Sequence, residues 1–181
     1  MDDGPGRRRR RSIRVRTWDY AHPAAYFVTI CTHQRQCLLG TVVDGEVHLS
    51  AAGEIVRACW DAIPAHFPHV VLDKVIVMPN HVHGIILICE YPAVGAQHAA
   101  PLRQDSEREP HVGAGSLGAI VRSFKSAATK AINEHRGTPG LPVWQRSYYE
   151  RIIRNDRELA ATRDYIAANP YCWADDPENP L

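Results

Sequence analysis

The chain has 181 residues, of which 45% are hydrophobic and 23% charged, and its formal net charge is +1. This length suits one domain whose core needs no disulfide bonds, and no apolar run approaches the roughly 20 residues of a membrane helix. The five cysteines are odd in number and none lies in a CxxC pair. We therefore expect neither a disulfide framework nor a thiolate zinc site, and a cytoplasmic location.

The near-neutral total charge hides two basic regions and an acidic end. Residues 1–16 hold seven arginines against two aspartates, and residues 122–163 hold nine basic residues against four acidic ones. Residues 164–181 contain four acidic residues and no basic one. This asymmetry favours a polyanionic partner more than the total charge of +1 suggests.

Composition also predicts how the chain is organised. Its Arg-rich start indicates a disordered basic arm, and residues 92–115 indicate an exposed connector because they are rich in Ala, Pro, Gly and charge without periodicity. We predict a basic arm at 1–16, a single domain at 17–173 that contains the connector, and an acidic tail at 174–181.

The first half of the chain is predicted to be mostly strand. Runs of β-branched, aromatic and apolar residues indicate the long strands, and Asp44-Gly45 is a turn signal between two short ones. The predicted strands are 25–32, 40–43, 46–49, 70–78 and 82–89. Ser50 is a candidate N-cap for a helix that ends near Ala62.

The second half is predicted to be mostly helical. Residues 117–134 carry an apolar stripe at helical spacing, and residues 142–153 are typical of one more strand. Asn155 followed by Glu158 is a capping-box pattern for a last helix, which Pro170 ends. Together the elements predict an α+β fold with helices packed on one side of an antiparallel sheet.

Two histidines lie two residues apart in the sequence Asn80-His81-Val82-His83. In a strand, residues two apart face the same side with Cα atoms about 6–7 Å apart, so both imidazoles can converge on one metal ion while Val82 points into the core. Imidazole is a common ligand of catalytic divalent metals. The alternative at this stage is a pair of surface histidines on a solvated face.

Tyr165 and Asn169 are four residues apart on the predicted last helix and therefore share a face. A tyrosine can act as a covalent nucleophile, and the amide oxygen of Asn169 could complete a His/His/amide metal site. The same spacing also fits a tyrosine at the edge of the buried face and an asparagine that ends the helix before Pro170.

A histidine-hydrophobic-histidine strand followed by a lone tyrosine on a late helix resembles the HUH endonucleases of the single-tyrosine type. More closely, the chain resembles the REP-associated tyrosine transposases and the related single-tyrosine insertion-sequence transposases. The blocks that carry this resemblance are 10–14, 25–32, 77–86, 143–151 and 165–170. The resemblance covers most of residues 12–170 and leaves 92–115 unmatched in detail.

The resemblance implies a ferredoxin-like HUH endonuclease domain, in which helices pack on an antiparallel sheet, and a transposase that cleaves and rejoins single-stranded DNA. It implies that Tyr165 forms a 5′-phosphotyrosine and that His81, His83 and Asn169 bind Mg²⁺ or Mn²⁺. Asn169 stands where glutamine is familiar, and its shorter side chain could weaken the metal site. The implied partner is DNA with hairpin stems, such as REP-like or insertion-sequence ends, bound by a monomer or homodimer away from membranes.

Basic side chains in the arm, on the 117–134 helix and near the proposed site are the expected DNA contacts. They are Arg7, Arg8, Arg9, Arg10, Arg11, Arg14, Arg122, Lys125, Lys130, Arg146, Arg151 and Arg154. For the helix residues the alternative is a solvated face. Tyr148 and Tyr149 are rival nucleophiles, but adjacent tyrosines in a strand face opposite sides, so one of them is expected in the core.

Two other functions remain open. A domesticated, non-cleaving protein that binds single-stranded nucleic acid would keep the basic faces and need no metal. A hydrolytic metalloenzyme for a small substrate would use the histidines but would leave the basic arm and helix without a role.

Overall fold

The computed structural model describes residues 22–90 and 115–179. The predicted basic arm, nearly all of the predicted connector and the last two residues lie outside these ranges. The strands are β1 (Ala24–Cys31), β2 (Gly40–Val43), β3 (Glu46–Leu49), β4 (Val70–Val77), β5 (His81–Ile88) and β6 (Tyr149–Ile153). The α-helices are α1 (Ala51–Asp61), α2 (Ile63–His66), α3 (Leu117–Arg136) and α4 (Asp156–Ala168).

Four of the strands form one antiparallel sheet in the order β4-β5-β1-β6, and β2 and β3 form a separate hairpin. The register places Thr29 of β1 between His83 of β5 and Tyr149 of β6. The α+β prediction with an antiparallel sheet is therefore confirmed. No helix within the described ranges has the length and apolarity needed to cross a membrane.

The larger part of the core lies on the sheet face covered by α1 and α3. Alternation along β1 turns Tyr26, Val28 and Ile30 to this face, where all three are fully buried. Trp60 of α1 and Phe124 of α3 meet them there in an edge-to-face contact with ring centroids 5.4 Å apart.

The opposite face of the sheet is covered by α4, which the sequence analysis placed on the same side as the other helices. A smaller cluster of Phe27, Ile85, Ile153 and Ile166 fills this second interface. The single-sided prediction was wrong because β1 and β5 also carry apolar residues on this second face, Phe27 and Ile85, so the sheet needs a cover on each side. The proposed site residues lie on the α4 face.

The helix N-termini are capped as the sequence predicts. The side chain of Ser50 accepts a hydrogen bond from the Gly53 amide, and Asn155 accepts one from the Glu158 amide. The carboxylate of Glu158 bonds the backbone amide of Arg154, one residue before the cap. These contacts fix where α1 and α4 begin.

The predicted strand at 142–153 is shorter in the structure, where only Tyr149–Ile153 is a strand. Before it, Trp144 makes a single bridge to Thr32, and the carbonyl groups of Gln145 and Arg146 accept hydrogen bonds from the Lys125 side chain. The ladder is interrupted between Gln145 and Tyr149, where a lysine bonds these carbonyl groups, although Val143 and Gln145 still make backbone hydrogen bonds to the chain just after and at the end of β1.

Gly84 on β5 makes room for Trp60, because a Cβ at this position would lie well inside van der Waals contact of the Trp60 Cζ2 and Cη2 atoms. Gly84→Ala should therefore lower the free energy of unfolding by about 1–3 kcal/mol through overpacking. Urea unfolding of the purified variant measures this effect. In the double variant Gly84→Ala/Trp60→Phe the clashing ring atoms are gone, so the two losses should be less than additive; additive losses would contradict this account.

Candidate active site

The two histidines of β5 are buried side by side on the α4 face of the sheet. His81 is 0% exposed and His83 is 2% exposed, and their ring centroids are 4.3 Å apart. The alternative of two solvated surface histidines is therefore excluded. Burying a polar imidazole is costly unless it makes a hydrogen bond or binds a ligand, so both histidines need polar partners or a ligand.

The orientation of His81 is fixed by its neighbour Asn80. The amide nitrogen of Asn80 donates to the carbonyl groups of Arg35 at 3.2 Å and Glu178 at 2.6 Å, so its oxygen faces His81 and accepts from Nδ1 at 2.9 Å. This leaves the unprotonated Nε2 of His81, which is buried without a hydrogen-bond partner in the described part of the chain. Such a nitrogen is ready to bind a metal ion.

His83 is held in the same manner by the neighbouring strand. The Thr29 hydroxyl lies 2.9 Å from Nδ1 of His83, which leaves Nε2 facing the groove beside α4. Burial lowers the pKa of His83 to about 2, and the adjacent His81 adds to this shift. Burial also lowers the pKa of His81, against the opposing carboxylates of Asp176 and Glu178. Both imidazoles are thus neutral, the form that binds metal.

Tyr165 projects from α4 onto the rim of this site. Its hydroxyl lies 3.5 Å from Nε2 of His83, its ring packs edge-to-face on Phe27 with centroids 6.0 Å apart, and 46% of the residue is exposed. Burial, followed by the charges of Asp176 and Glu178, raises the pKa of Tyr165. The hydroxyl is therefore protonated at neutral pH, and it is accessible to a substrate in the groove.

Asn169, at the end of α4, reaches the site together with an aspartate from beyond the helix. The Asn169 amide nitrogen donates to Oδ2 of Asp176 at 2.7 Å, and its buried Oδ1 has no hydrogen-bond partner among the described residues. Two buried atoms at the site, Nε2 of His81 and Oδ1 of Asn169, thus have no hydrogen bond of good geometry within the described residues, although the Asn169 side chain is close enough to His81 to oppose the lowering of its pKa. Unsatisfied buried polar atoms are costly, which is consistent with a ligand between them.

Residues 176–178, which belong to the predicted acidic tail, form one wall of the site. Asp176 is 8% exposed, and Glu178 forms an ion pair with Arg35 at 2.9 Å and accepts a hydrogen bond from Cys31. Asp176 was not predicted as a site residue, because an acidic chain end indicates a solvated segment. One feature of the sequence hints at its position at the site: the acidic residues follow soon after Asn169.

The donor set fits a divalent metal ion. One ligand atom each of His81, His83 and Asp176 lies within 4.8 Å of the other two. Ligands at about 2.0–2.2 Å from a common ion are separated by roughly 3–4.4 Å, so small side-chain adjustments bring this trio into range. Two nitrogens and one or two oxygens suit ions such as Mn²⁺, Mg²⁺ or Zn²⁺.

A groove of about 850 Å³ opens beside the histidines and Tyr165. Its lining includes Arg146 and Arg151, which the sequence analysis proposed as phosphate contacts, and both rival tyrosines. Both tyrosines line this groove; Tyr148 is half-buried and also packs partly against the main core, whereas Tyr149 is 41% exposed.

The three proposed contacts on α3 lie in a second groove, of about 860 Å³, that shares Gln145 and Arg146 with the first. Arg122 and Lys130 are exposed there. Lys125 is half-buried, which lowers its pKa, and its ammonium bonds the carbonyl groups at 145 and 146. Lys125 thus supports the segment between the grooves, and its contact with DNA stays a prediction.

The remaining proposed contacts are distributed differently. Arg154 is exposed at the start of α4 but lines neither groove. Arg7, Arg8, Arg9, Arg10, Arg11 and Arg14 lie outside the described residues. The structure thus brings together His81, His83, Tyr165 and Asn169, with Arg146 and Arg151 along the adjoining groove.

The chain is 38% identical over 168 residues to an uncharacterized protein of Haemophilus influenzae, covering 92% of this chain and 91% of that protein, so the two belong to one family. It is 24% identical over 152 residues to a second Haemophilus influenzae protein, named "Putative REP-associated tyrosine transposase", covering 84% and 73% of the two chains. The chain is thus distantly similar in sequence to a protein named as a REP-associated tyrosine transposase.

A comparison of folds agrees with this distant similarity. A solved structure of a REP-associated tyrosine transposase bound to a REP hairpin superposes with a TM-score of 0.56 at 20% identity, over 86% of this chain and 74% of that one. No family model matches the chain. The expected fold is thus shared with a REP-associated tyrosine transposase, and the site described above lies within it.

Proposed function

We propose that this chain is a metal-dependent transposase that cleaves and rejoins single-stranded DNA through a covalent bond to Tyr165. The observation that supports the proposal most directly is the position of the Tyr165 hydroxyl, 3.5 Å from Nε2 of His83 at the edge of an open groove. The proposed nucleophile, the buried cluster of potential metal ligands and the groove are therefore adjacent in space.

The chain's own residues would bind and orient the strand. Arg146 and Arg151 line the groove and would hold backbone phosphates, while Phe27 fixes the Tyr165 ring from below. His81, His83 and Asp176, with Asn169, would hold the divalent ion, Mg²⁺ or Mn²⁺. When bound, the ion would supply Lewis-acid stabilisation of negative charge on the scissile phosphate.

In the proposed reaction, the Tyr165 oxygen attacks phosphorus and the bond from phosphorus to the 3′-oxygen breaks. The phenolic proton leaves to water, and the released 3′-oxygen takes a proton from water, so atoms and charge balance without any redox change. The product is a 5′-phosphotyrosine and a free 3′-hydroxyl. Because the phosphotyrosine keeps the energy of the broken bond, another 3′-hydroxyl can reverse the step and join strands without ATP.

The same geometry weighs against the two alternatives. A non-cleaving DNA-binding protein would have no need of the unpartnered His81 Nε2 beside an exposed tyrosine. A hydrolase for a small substrate would favour an enclosed pocket, whereas the groove here is open and carries two arginines.

A covalent-capture assay tests the proposal. The full chain is incubated with a library of labelled single strands that contain hairpins, with Mn²⁺ or with chelator, and is then separated on a denaturing gel. We expect a labelled protein band that depends on Mn²⁺. Binding without any such band across the library would favour the non-cleaving alternative.

The Arg-rich arm is proposed to add affinity through phosphates without reading bases. Deleting Met1–Arg11 removes five arginines and two aspartates. If the arm lies along a duplex stem, the slope of log affinity against log salt should fall by roughly three to five units, and the cleavage position should not move. Salt titrations of the full and shortened chains on one oligonucleotide measure this, and an unchanged slope would remove the arm from the DNA contact.

A further inference from the structure

Tyr149 is an exposed aromatic residue on the wall of the groove, and neither the nucleophile nor the metal site uses it. Tyr149 is the first residue of β6 and lines the groove with 41% of its surface exposed, whereas the preceding Tyr148 is half-buried and packs partly against the main core. Its hydroxyl makes no hydrogen bond to another residue within 22–90 and 115–179. The ring, more than the hydroxyl, is therefore what this residue presents to a substrate.

The Tyr149 ring is held in place from below. It packs edge-to-face on Phe27, with ring centroids 6.3 Å apart and an interplanar angle of 67°. Phe27 is 6% exposed and also packs against the rings of His83 and Tyr165. Tyr149 and Tyr165 are thus two partly exposed rings that pack on the same buried ring, Phe27. This packing already orients both side chains, so they lose little conformational freedom when a ligand binds.

The spacing places Tyr149 close to the reacting centre. The register puts Tyr149 opposite Thr29, which in turn lies opposite His83, so two interstrand steps of about 4.8 Å separate the Tyr149 and His83 backbones. The Tyr149 backbone is thus about 10 Å from the His83 backbone, one side-chain length away from the reacting centre. This position is suited to a neighbouring nucleotide of the same strand.

Arg151 lies two residues further along β6 on the same face of the sheet. One of its nitrogens donates to Thr162 at 2.8 Å, and its guanidinium lies over the Phe27 ring, 5.9 Å from the centroid. A guanidinium has five N–H donors, and Arg151 has no carboxylate partner in the described part of the chain. Its other donors are available to a phosphate in the groove.

We infer that Tyr149 and Arg151 form a nucleotide subsite, in which a base next to the scissile phosphate stacks on the Tyr149 ring while Arg151 holds an adjoining phosphate. The inference rests on the proposed function, because it takes single-stranded DNA as the ligand of the groove. Stacking is tolerant of base identity, so the subsite would position the strand more than read it. Tyr149 is thus a positioning residue.

A double-mutant cycle between Tyr149 and individual bases tests the subsite. The protein carries Tyr165→Phe so that no covalent product forms, and the probe is a fluorescein-labelled single strand with a hairpin, in which one abasic site is moved along the strand. Anisotropy should show that Tyr149→Ala weakens affinity about tenfold, whereas Tyr149→Phe keeps it within about twofold. At one position along the strand, the abasic site should weaken DNA binding by the protein that keeps Tyr149. The same abasic site should cause little further loss of affinity in Tyr149→Ala.

Tyr171→Ala is the matched control, because Tyr171 is 76% exposed and lies outside both grooves; its affinity should not change. The subsite would be contradicted if each abasic site caused the same loss of affinity in Tyr149→Ala as in the protein that keeps Tyr149. It would also be contradicted if Tyr149→Phe and Tyr149→Ala lost affinity equally. For Arg151→Ala we expect the salt slope to fall by about 0.7, one phosphate contact on a single strand. All of these are binding measurements, so they remain decisive even if the covalent-capture assay gives no product.

Discussion

Replacing Tyr165 with phenylalanine is expected to reduce covalent attachment to DNA by several orders of magnitude while the affinity for DNA stays within a few-fold. The change removes only the hydroxyl that lies 3.5 Å from Nε2 of His83. The ring contact with Phe27, at 6.0 Å between centroids, is kept, so α4 should pack as before. Loss of a nucleophile with binding intact is the kinetic signature of a group that acts only in the chemical step.

Two neighbouring tyrosines provide matched controls for this experiment. Tyr149→Phe and Tyr148→Phe each remove one hydroxyl near the same groove and should still form the covalent product on a denaturing gel. Product formed by Tyr165→Phe at the parent rate would show that another group is the nucleophile. In that case, product lost only in Tyr149→Phe would name its replacement.

The second large effect is expected at the metal cluster. His81→Ala or His83→Ala should lower Mn²⁺ affinity and DNA cleavage by orders of magnitude, because each removes one of two buried nitrogen ligands from a small site. Isothermal calorimetry with Mn²⁺ measures the affinity directly. His66→Ala is a suitable control, since His66 is an exposed histidine on α2, and it should bind Mn²⁺ like the parent chain.

Asn169 and Asp176 are expected to differ in their contributions to the metal site. Asp176→Asn removes a negative charge next to both histidines, so it should weaken Mn²⁺ binding more than Asn169→Ala, which removes a neutral amide. Excess Mn²⁺ should restore cleavage in Asn169→Ala better than in His81→Ala. Mn²⁺ titration of cleavage distinguishes these cases, and parent-like Mn²⁺ binding by His81→Ala would place the metal elsewhere.

Local sequence patterns were sufficient for most of the secondary structure. Ser50 and Asn155 start helices because their side chains can accept hydrogen bonds from amides three residues ahead, a property that depends on a few neighbouring residues. The alternation in His81-Val82-His83 likewise determines that both histidines share one face of a strand. Such features depend on short-range geometry, so the sequence by itself predicts them.

The surroundings of those residues depended on long-range packing. Alternation shows that His81 and His83 share a face, but only the packing of α4 against that face buries them and brings Tyr165 to His83. Likewise, the strand predicted from residue 142 is interrupted before Tyr149, where Lys125, 20 residues away in sequence, bonds the carbonyl groups of Gln145 and Arg146.

Asp176 shows the same limit at the site itself. Four acidic residues without a basic one near the chain end predict a solvated segment. In the fold, Arg35 and Asn80 supply the opposite charge and the hydrogen bonds that hold Glu178, and Asp176 is thereby buried beside the histidines. These partners lie about 100 or more residues away in sequence. A buried carboxylate is stable only with partners, and the tertiary structure alone determines which partners it meets.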